Sequence, residues 1–438
     1  MNIRMRLFGG LIAAAAIAMA PALAPAQNGA AEAAAAAAAQ DKDKLPAISE
    51  KTEGMEKRDG FFILHVNEKK NELMAEISGS RLNKDFLVSA SIAYGPLAGL
   101  QGEALLWRFE RQDKQLLVVR PNVFYTASGD LKDVVEYSYP DEVIATVPIV
   151  AETNGAVLID LKTLLESQAG GFGGMPYAPK ITQLRKAKSF PNNCVVELQM
   201  RGPRGGGGIY YNLGDLPSPG YKPRPADLRV GYFLTARKDF SKDPREDTIF
   251  ERNINRWRVE KEDPSLNMSP PKEPIVIYIE DSVPVRYRRW VREGIEMWNE
   301  AFEEIGIIDA IEVRQQTDSN QFADFDPEDS RYNFFRWITS ERAFAIAPSR
   351  VDPRTGEIID SDILFDDSMV RYFIDEFDLY VNSVPEAMDM SPRMRHWPAR
   401  HPHEHPNWND IAYRYSVKIQ ENPQYQGMTA EQLFARDL

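Results

Sequence analysis

The sequence predicts an α+β chain, β-rich over residues 45–270 and mixed sheet-and-helix from residue 271 onward. Three observations carry this expectation. Short runs of β-branched and aromatic residues, separated by Asn, Asp, Gly and Lys turns, fill residues 61–149. An amphipathic helical pattern beginning at Arg286 lies between two apolar runs of strand length, 275–279 and 311–314. Prolines gather at Pro264, Pro270 and Pro271, where the first pattern gives way to the second.

Residues 1–26 stand apart from the fold. Arg4 and Arg6 form a basic n-region, residues 7–19 an apolar run, and Ala24-Pro25-Ala26 a small-residue cleavage site. This is the layout of a secretory signal peptide, so cleavage is expected near Ala26 and the protein is expected in the periplasm or outside the cell. The apolar run is shorter than the roughly 20 residues that cross a bilayer, and no later run is long enough, so no membrane span is expected. Residues 27–44 are rich in alanine without an apolar face and read as a disordered linker. Cys194 is the only cysteine, which excludes an internal disulfide. A net charge of −13 argues against nucleic acid as a partner. The basic clusters at 286–292 and 393–400 are short and interleaved with aromatics or prolines, and read as solvated faces.

In the β-rich part, strands are expected at 61–66, 73–77, 86–92, 104–110, 115–120 and 143–149. Leu73, Ala75 and Ile77 alternate with Met74, Glu76 and Ser78, the period-2 signature of a sheet with one buried face. Residues 155–166 read as a strand turning into a short helix. The glycine-rich stretches 170–174 and 202–208 are not followed by the Gly-Lys-Ser/Thr of a phosphate loop and read as hairpin tips. Pro217, Pro219, Pro223 and Pro225 stiffen a surface connection. Further strands are expected at 230–234 and 255–260, and a domain boundary near 265–273.

From residue 271, the helix is expected to run from Arg286 to about Ile305. Trp290, Gly294, Met297, Trp298, Ala301, Phe302 and Ile305 make its apolar stripe against a sheet, with Ser282 as N-cap and Gly306 as C-cap. Strands follow at 334–338 and 343–347. The acidic run 324–329 lacks the ligand spacing and glycine of an EF-hand and reads as a capped turn. Asp352-Pro353-Arg354-Thr355-Gly356 reads as a tight turn with Gly356 at positive φ. Beyond it, a strand carries Asp360 and Asp362, followed by Asp366 and Asp367. For these carboxylates a metal or acid–base site and a solvated face both stay open. A helix is expected at 368–380 and another at about 409–421.

Four stretches carry a resemblance. They are Gly231-Tyr232-Phe233, Asn255-Arg256-Trp257-Arg258, Asp326-Pro327-Glu328-Asp329-Ser330-Arg331-Tyr332 and Val351-Asp352-Pro353-Arg354-Thr355-Gly356-Glu357-Ile358. Together with the Trp-bearing helix they resemble a family of large bacterial exported zinc-dependent metalloproteases, from about residue 45 to the end. The resemblance implies β-rich N-terminal domains of unknown function ahead of a metzincin-like catalytic domain, with residues 271–438 as the first half of that domain. It also implies an edge strand, carried over to Phe344, Ala345, Ile346 and Ala347, on which a peptide or protein substrate adds as an extra strand through its main chain. Catalytic zinc in that family is held by a later helix bearing H-E-x-x-H, whose glutamate polarises the attacking water.

No H-E-x-x-H occurs in this sequence. Its five histidines are His65, His396, His401, His403 and His405. Imidazoles are good zinc ligands, but Pro402 and Pro406 bracket the 401–405 run and forbid a helix there. The run reads as a surface turn, with metal capture by His401, His403 and His405 as the alternative. The expectation is therefore the noncatalytic N-terminal portion of a longer secreted zinc protease, inactive alone, with zinc the cofactor of the full-length family and none expected for this chain. The rival reading is a secreted binding or scaffold protein, a pseudoenzyme without catalysis.

Overall fold

The computed structural model describes residues 44–94, 101–102, 104–168, 182–202, 205–227, 229–245, 248–339 and 344–377. The expected signal peptide, nearly all of the alanine-rich linker, the 170–174 glycines, His396, the 401–405 histidines and the 409–421 helix lie outside the described residues. The described architecture is β-rich α+β, with several sheets and few helices.

Two antiparallel sheets form the N-terminal body. One has five strands in the order Glu56–Arg58, Ile63–Asn67, Glu72–Ile77, Ala156–Asp160, Ala151–Thr153. The other has seven: Thr182–Ser189, Asn193–Gly202, Gly205–Gly214, Asp85–Tyr94, Leu105–Gln112, Gln115–Arg120, Glu142–Pro148. Each sheet turns one row of alternate side chains inward. Leu73, Ala75 and Ile77 from the first meet Leu116, Val118, Val196, Leu198, Ile209 and Leu213 from the second in one core. At about 1.5–3 kcal/mol for each large apolar side chain buried, this shared layer is the main stabilising term of the body. Phe61, Phe62, Phe86 and Phe109 add edge-on and tilted ring contacts at one end. The helix Leu161–Gln168 closes the core with Leu161, Leu164 and Leu165. Asp160 starts that helix by accepting the Thr163 N–H at 2.9 Å.

Sequence patterning foretold this helix and, to within a few residues, the strands from 61 to 149. It did not foretell the helix Lys132–Ser138 or the strands Thr182–Ser189 and Asn193–Gly202. The glycines 205–208 correct an expectation: Gly202 and Gly205 do pair at a hairpin end, but the run itself is strand. Gly208 is required there, because a Cβ would stand 2.3 Å from the Tyr94 ring. Strands were also expected at 230–234 and 255–260, whereas they lie at Leu234–Asp239 and Phe250–Ile254, in a small sheet with Tyr125–Thr126. Residues 255–260 instead cross to the C-terminal unit, with Arg256 bridged to Glu357 through the Gly356 carbonyl and the Ile358 N–H and Arg258 3.5 Å from the Glu357 carboxylate.

The C-terminal unit is a five-stranded sheet in the order Ile311–Gln315, Ile275–Ile279, Asn333–Ile338, Ile363–Asp366, Ala345–Ile346. The first four are parallel and the last is antiparallel to its neighbour. Parallel neighbours need a crossover, and between the 275 and 311 strands it is helical, as Val285–Glu296 and Trp298–Glu303. The Schellman pattern at its end, with Gly306 at φ +82° and the Ile307 N–H on the Phe302 carbonyl, is the C-cap expected of Gly306.

Two expectations about this helix are overturned. Pro284, not Ser282, occupies the N-cap position, and the Ser282 hydroxyl instead donates to Glu280. The stripe facing the sheet is Val291 and Ile295, which meet Ile279, Val313 and Phe335. Trp290 and Trp298 are 62% and 65% exposed, so the tryptophans are not the core face.

Candidate functional site

The strand that the sequence marks at Asp360 and Asp362 is two strands. Ile358–Ser361 pairs in a hairpin with Ser349–Val351, and Ile363–Asp366 enters the C-terminal sheet. The break falls at Asp362, whose carboxylate accepts the Phe334 N–H at 2.8 Å and so stands in for a ladder bond. Before the hairpin, the chain turns at Asp352-Pro353-Arg354-Thr355-Gly356. The Asp352 carbonyl accepts the Thr355 and Gly356 N–H groups, and Gly356 has φ +82°. The Asp352 carboxylate holds Arg354 in a bidentate pair. The acidic 326–329 turn is capped as its sequence suggests, with Asp326 accepting the Glu328 N–H and Asp329 the Arg331 N–H.

The solvated-face reading of the aspartates does not hold. Asp360 and Asp366 are buried. Asp366 caps the helix Asp367–Phe377 by accepting the Ser368 N–H, and Asp367 accepts the Trp337 indole N–H. Asp360 forms a buried bidentate pair with Arg350. Asp362 points with it into a cavity of about 290 Å³ between the C-terminal sheet and the outer face of the seven-stranded sheet.

Each wall of that cavity follows from strand alternation. With Ile209, Tyr211 and Leu213 turned into the sandwich core, Tyr210 and Asn212 face outward; with Val88, Ala90 and Ile92 inside, Ser89 and Ser91 face outward. In the C-terminal sheet, Ile277, Ile279, Phe335, Trp337, Ile363 and Phe365 take the helix side, leaving Arg336 and Leu364 on the cavity side. The two bodies are joined at the cavity's flank. Lys186 pairs with Glu328 at 2.6 Å, Lys188 with Asp326 and Glu328, and Asn193 donates to the Glu328 carbonyl while accepting the Ser330 N–H.

Burial, and after it the Asp360 charge, push the Asp362 carboxyl up to about 7. Burial likewise raises the Tyr210 phenol well above its usual range. Burial works against the Lys188 ammonium, but the bonds to Asp326 and Glu328 hold its pKa above the ordinary value. Among the described residues no group of three or more His, Cys, Asp or Glu side chains is placed to hold a metal ion. His65 is buried in its strand with Nε2 3.0 Å from Glu76 Oε2, a satisfied structural histidine.

The edge-strand residues fall together. Ala345 and Ile346 pair with Phe365 and Leu364, Phe344 contributes its carbonyl to the Asp366 N–H, and Ala347 follows directly. No strand lies on the far side of Ala345–Ile346 among the described residues. Ala345 and Ala347 are exposed and Phe344 and Ile346 half-buried. The edge and the cavity are neighbours, since Leu364, opposite Ile346, lines the cavity. Lys186, Tyr210, Arg336 and Arg350 went unnoticed in the sequence. Only the polar alternation of the 205–214 and 85–94 strands hinted at a second, outward-facing surface.

Residues 99–262 match a domain of unknown function, DUF5117. No curated protein and no solved structure matches the chain. The DUF5117 match covers less than half of the 438 residues, taking in part of the seven-stranded sheet and all of the small sheet. No described helix is long and apolar enough to cross a membrane.

Proposed function

We propose that this chain is the substrate-framing, noncatalytic portion of an exported zinc-dependent metalloprotease, with Ala345–Ile346 as the strand on which an extended peptide is laid. The observation that carries the reading is the C-terminal sheet, four parallel strands ended by one short antiparallel strand whose outer edge no described strand covers. An open edge of this kind offers a row of backbone donors and acceptors to an added strand, so affinity comes from main chain and is tolerant of sequence. The motifs at 326–332 and 351–358 support the same reading, because they build the turns that brace this sheet. The N-terminal sandwich and small sheet serve as its buttress. Zinc, the general base and the scissile step belong to an H-E-x-x-H helix that these 438 residues do not contain.

The test is hydrogen exchange with an unstructured peptide mixture such as a reduced, alkylated casein digest. Slowed exchange at residues 344–347 is expected, together with loss of that protection in Ala345→Pro, whose ring removes an N–H directed to the open edge rather than to the Leu364 strand. With zinc added, the chain should hydrolyse none of these peptides. Stoichiometric zinc with chelator-sensitive proteolysis by this chain would sink the proposal.

A further inference from the structure

The cavity between the two bodies holds an unbalanced set of charges. Four carboxylates line it, those of Glu197, Glu328, Asp360 and Asp362, against three cations, Lys186, Arg336 and Arg350. Every cation is already engaged: Lys186 by Glu328, Arg350 by Asp360, and Arg336 by Glu280 at 3.3 Å from outside the cavity. Asp362 is the acid left over. Among the described residues it forms no ion pair and accepts one hydrogen bond, from the Phe334 N–H. Facing the same space, the Tyr210 hydroxyl is buried without a hydrogen-bond partner among the described residues. A half-buried carboxylate with spare acceptor capacity that shares its cavity with a buried, unsatisfied hydroxyl is costly unless something pairs with both.

We propose that this cavity is a binding site for a small organic monocation bearing N–H donors, an alkylammonium or guanidinium group, which donates to Asp362 and Tyr210. The charge count favours a cation over an anion, since an added carboxylate or phosphate would find all three basic groups taken. A bare divalent metal is disfavoured because no three ligating side chains converge among the described residues. The volume of about 290 Å³ suits a head group with a short alkyl chain, and Leu364, Ala93 and Pro348 supply apolar wall for that chain. The cation also offsets the burial that raises the Asp362 carboxyl, so binding and ionisation of Asp362 are linked. Around it, Asp360, Glu197 and Glu328 add negative charge and Arg350, Arg336 and Lys186 positive; burial raises the Asp360 carboxyl as well, against the pull of its Arg350 partner. The site is independent of the edge-strand reading.

Calorimetric titration of the full chain with n-butylammonium and with ethylguanidinium chloride tests the assignment, with 1-butanol as the uncharged isostere. Saturable binding of at least one cation is expected, with none of 1-butanol. Affinity should fall at least about tenfold in Asp362→Asn, several-fold in Tyr210→Phe, and about tenfold from pH 8 to pH 6 as Asp362 takes up its proton. Absence of saturable binding by either cation, equal binding of 1-butanol, or unchanged affinity in a cooperatively melting Asp362→Asn overturns the site. Should that variant not fold, Tyr210→Phe decides, and undiminished affinity there overturns it equally.

Discussion

At the scale of single residues, Gly356 and Asp362 place the sharpest constraints. Gly356 sits at φ +82°, and a Cβ there would approach the Ile254 carbonyl oxygen to 2.8 Å, so both conformation and space demand glycine. Gly356→Ala should destabilise the chain by about 1–3 kcal/mol, measured as a shifted urea midpoint with unchanged slope. Asp362 makes stability depend on pH with a definite sign. Its folded pKa of about 7 lies above the ordinary 3.8, so the folded state holds the proton longer than the unfolded chain. The corresponding stability is complete below about pH 4 and is lost as pH rises through about 7. The bound, 7 − 3.8 or about 3 units at 1.36 kcal/mol each, is about 4 kcal/mol, and water entering the cavity reduces it. Asp362→Asn should therefore flatten the fall in melting temperature between pH 5 and pH 8. An unchanged pH profile would show that the carboxylate ionises freely.

At the scale of elements, the crossover helix shows where sequence patterning ran out. The helix carries two apolar rows, one through Trp290, Met297 and Trp298 and one through Val291 and Ile295, and hydrophobicity alone favours the row with the larger rings. The sheet instead selects the branched row, which fits against Val313 and Phe335. Ile295→Ala should cost about 2–4 kcal/mol by leaving a cavity, while Trp290→Ala and Trp298→Ala should each change stability by no more than about 0.5 kcal/mol in thermal or urea unfolding. The half-buried strands were legible for the opposite reason. Leu73, Ala75 and Ile77, or Leu116 and Val118, have one apolar face, so period 2 identifies them without tertiary knowledge. The 205–214 strand hid behind its glycines, whose weak strand preference is overridden by partners on both sides, Asn193–Gly202 and Asp85–Tyr94. The cavity was legible only in fragments. Asp360 and Asp362 stood out, but Lys186, Tyr210, Arg336 and Arg350 come from strands separated by up to 164 positions in sequence, 350 − 186, and only the packing of the seven-stranded sheet, the C-terminal sheet and the 349–361 hairpin collects them.

At the scale of the whole molecule, the question is what makes the sandwich and the C-terminal sheet behave as one body. The ion pairs of Lys186 and Lys188 with Asp326 and Glu328 are partly open to water, and such pairs contribute about 0–1 kcal/mol and weaken with salt. Asn193 has a stronger claim. It is fully buried, and its side chain joins the Glu328 carbonyl, the Ser330 N–H and the Ser330 hydroxyl across the junction. Removing it leaves backbone groups of the 326–332 turn unpaired in a closed setting, which costs about 1–3 kcal/mol. Asn193→Ala should thus loosen the junction more than Lys188→Ala does. The expected readout is limited proteolysis, with cleavage within residues 317–332 accelerated in Asn193→Ala at low salt, and in Lys188→Ala far less. Because the 326–332 turn also forms one wall of the cavity through Pro327 and Glu328, the same variant should weaken binding of n-butylammonium without touching Asp362. If cleavage accelerates equally in both lysine and asparagine variants, the junction is held by charge, and the cavity's shape depends on ionic strength instead.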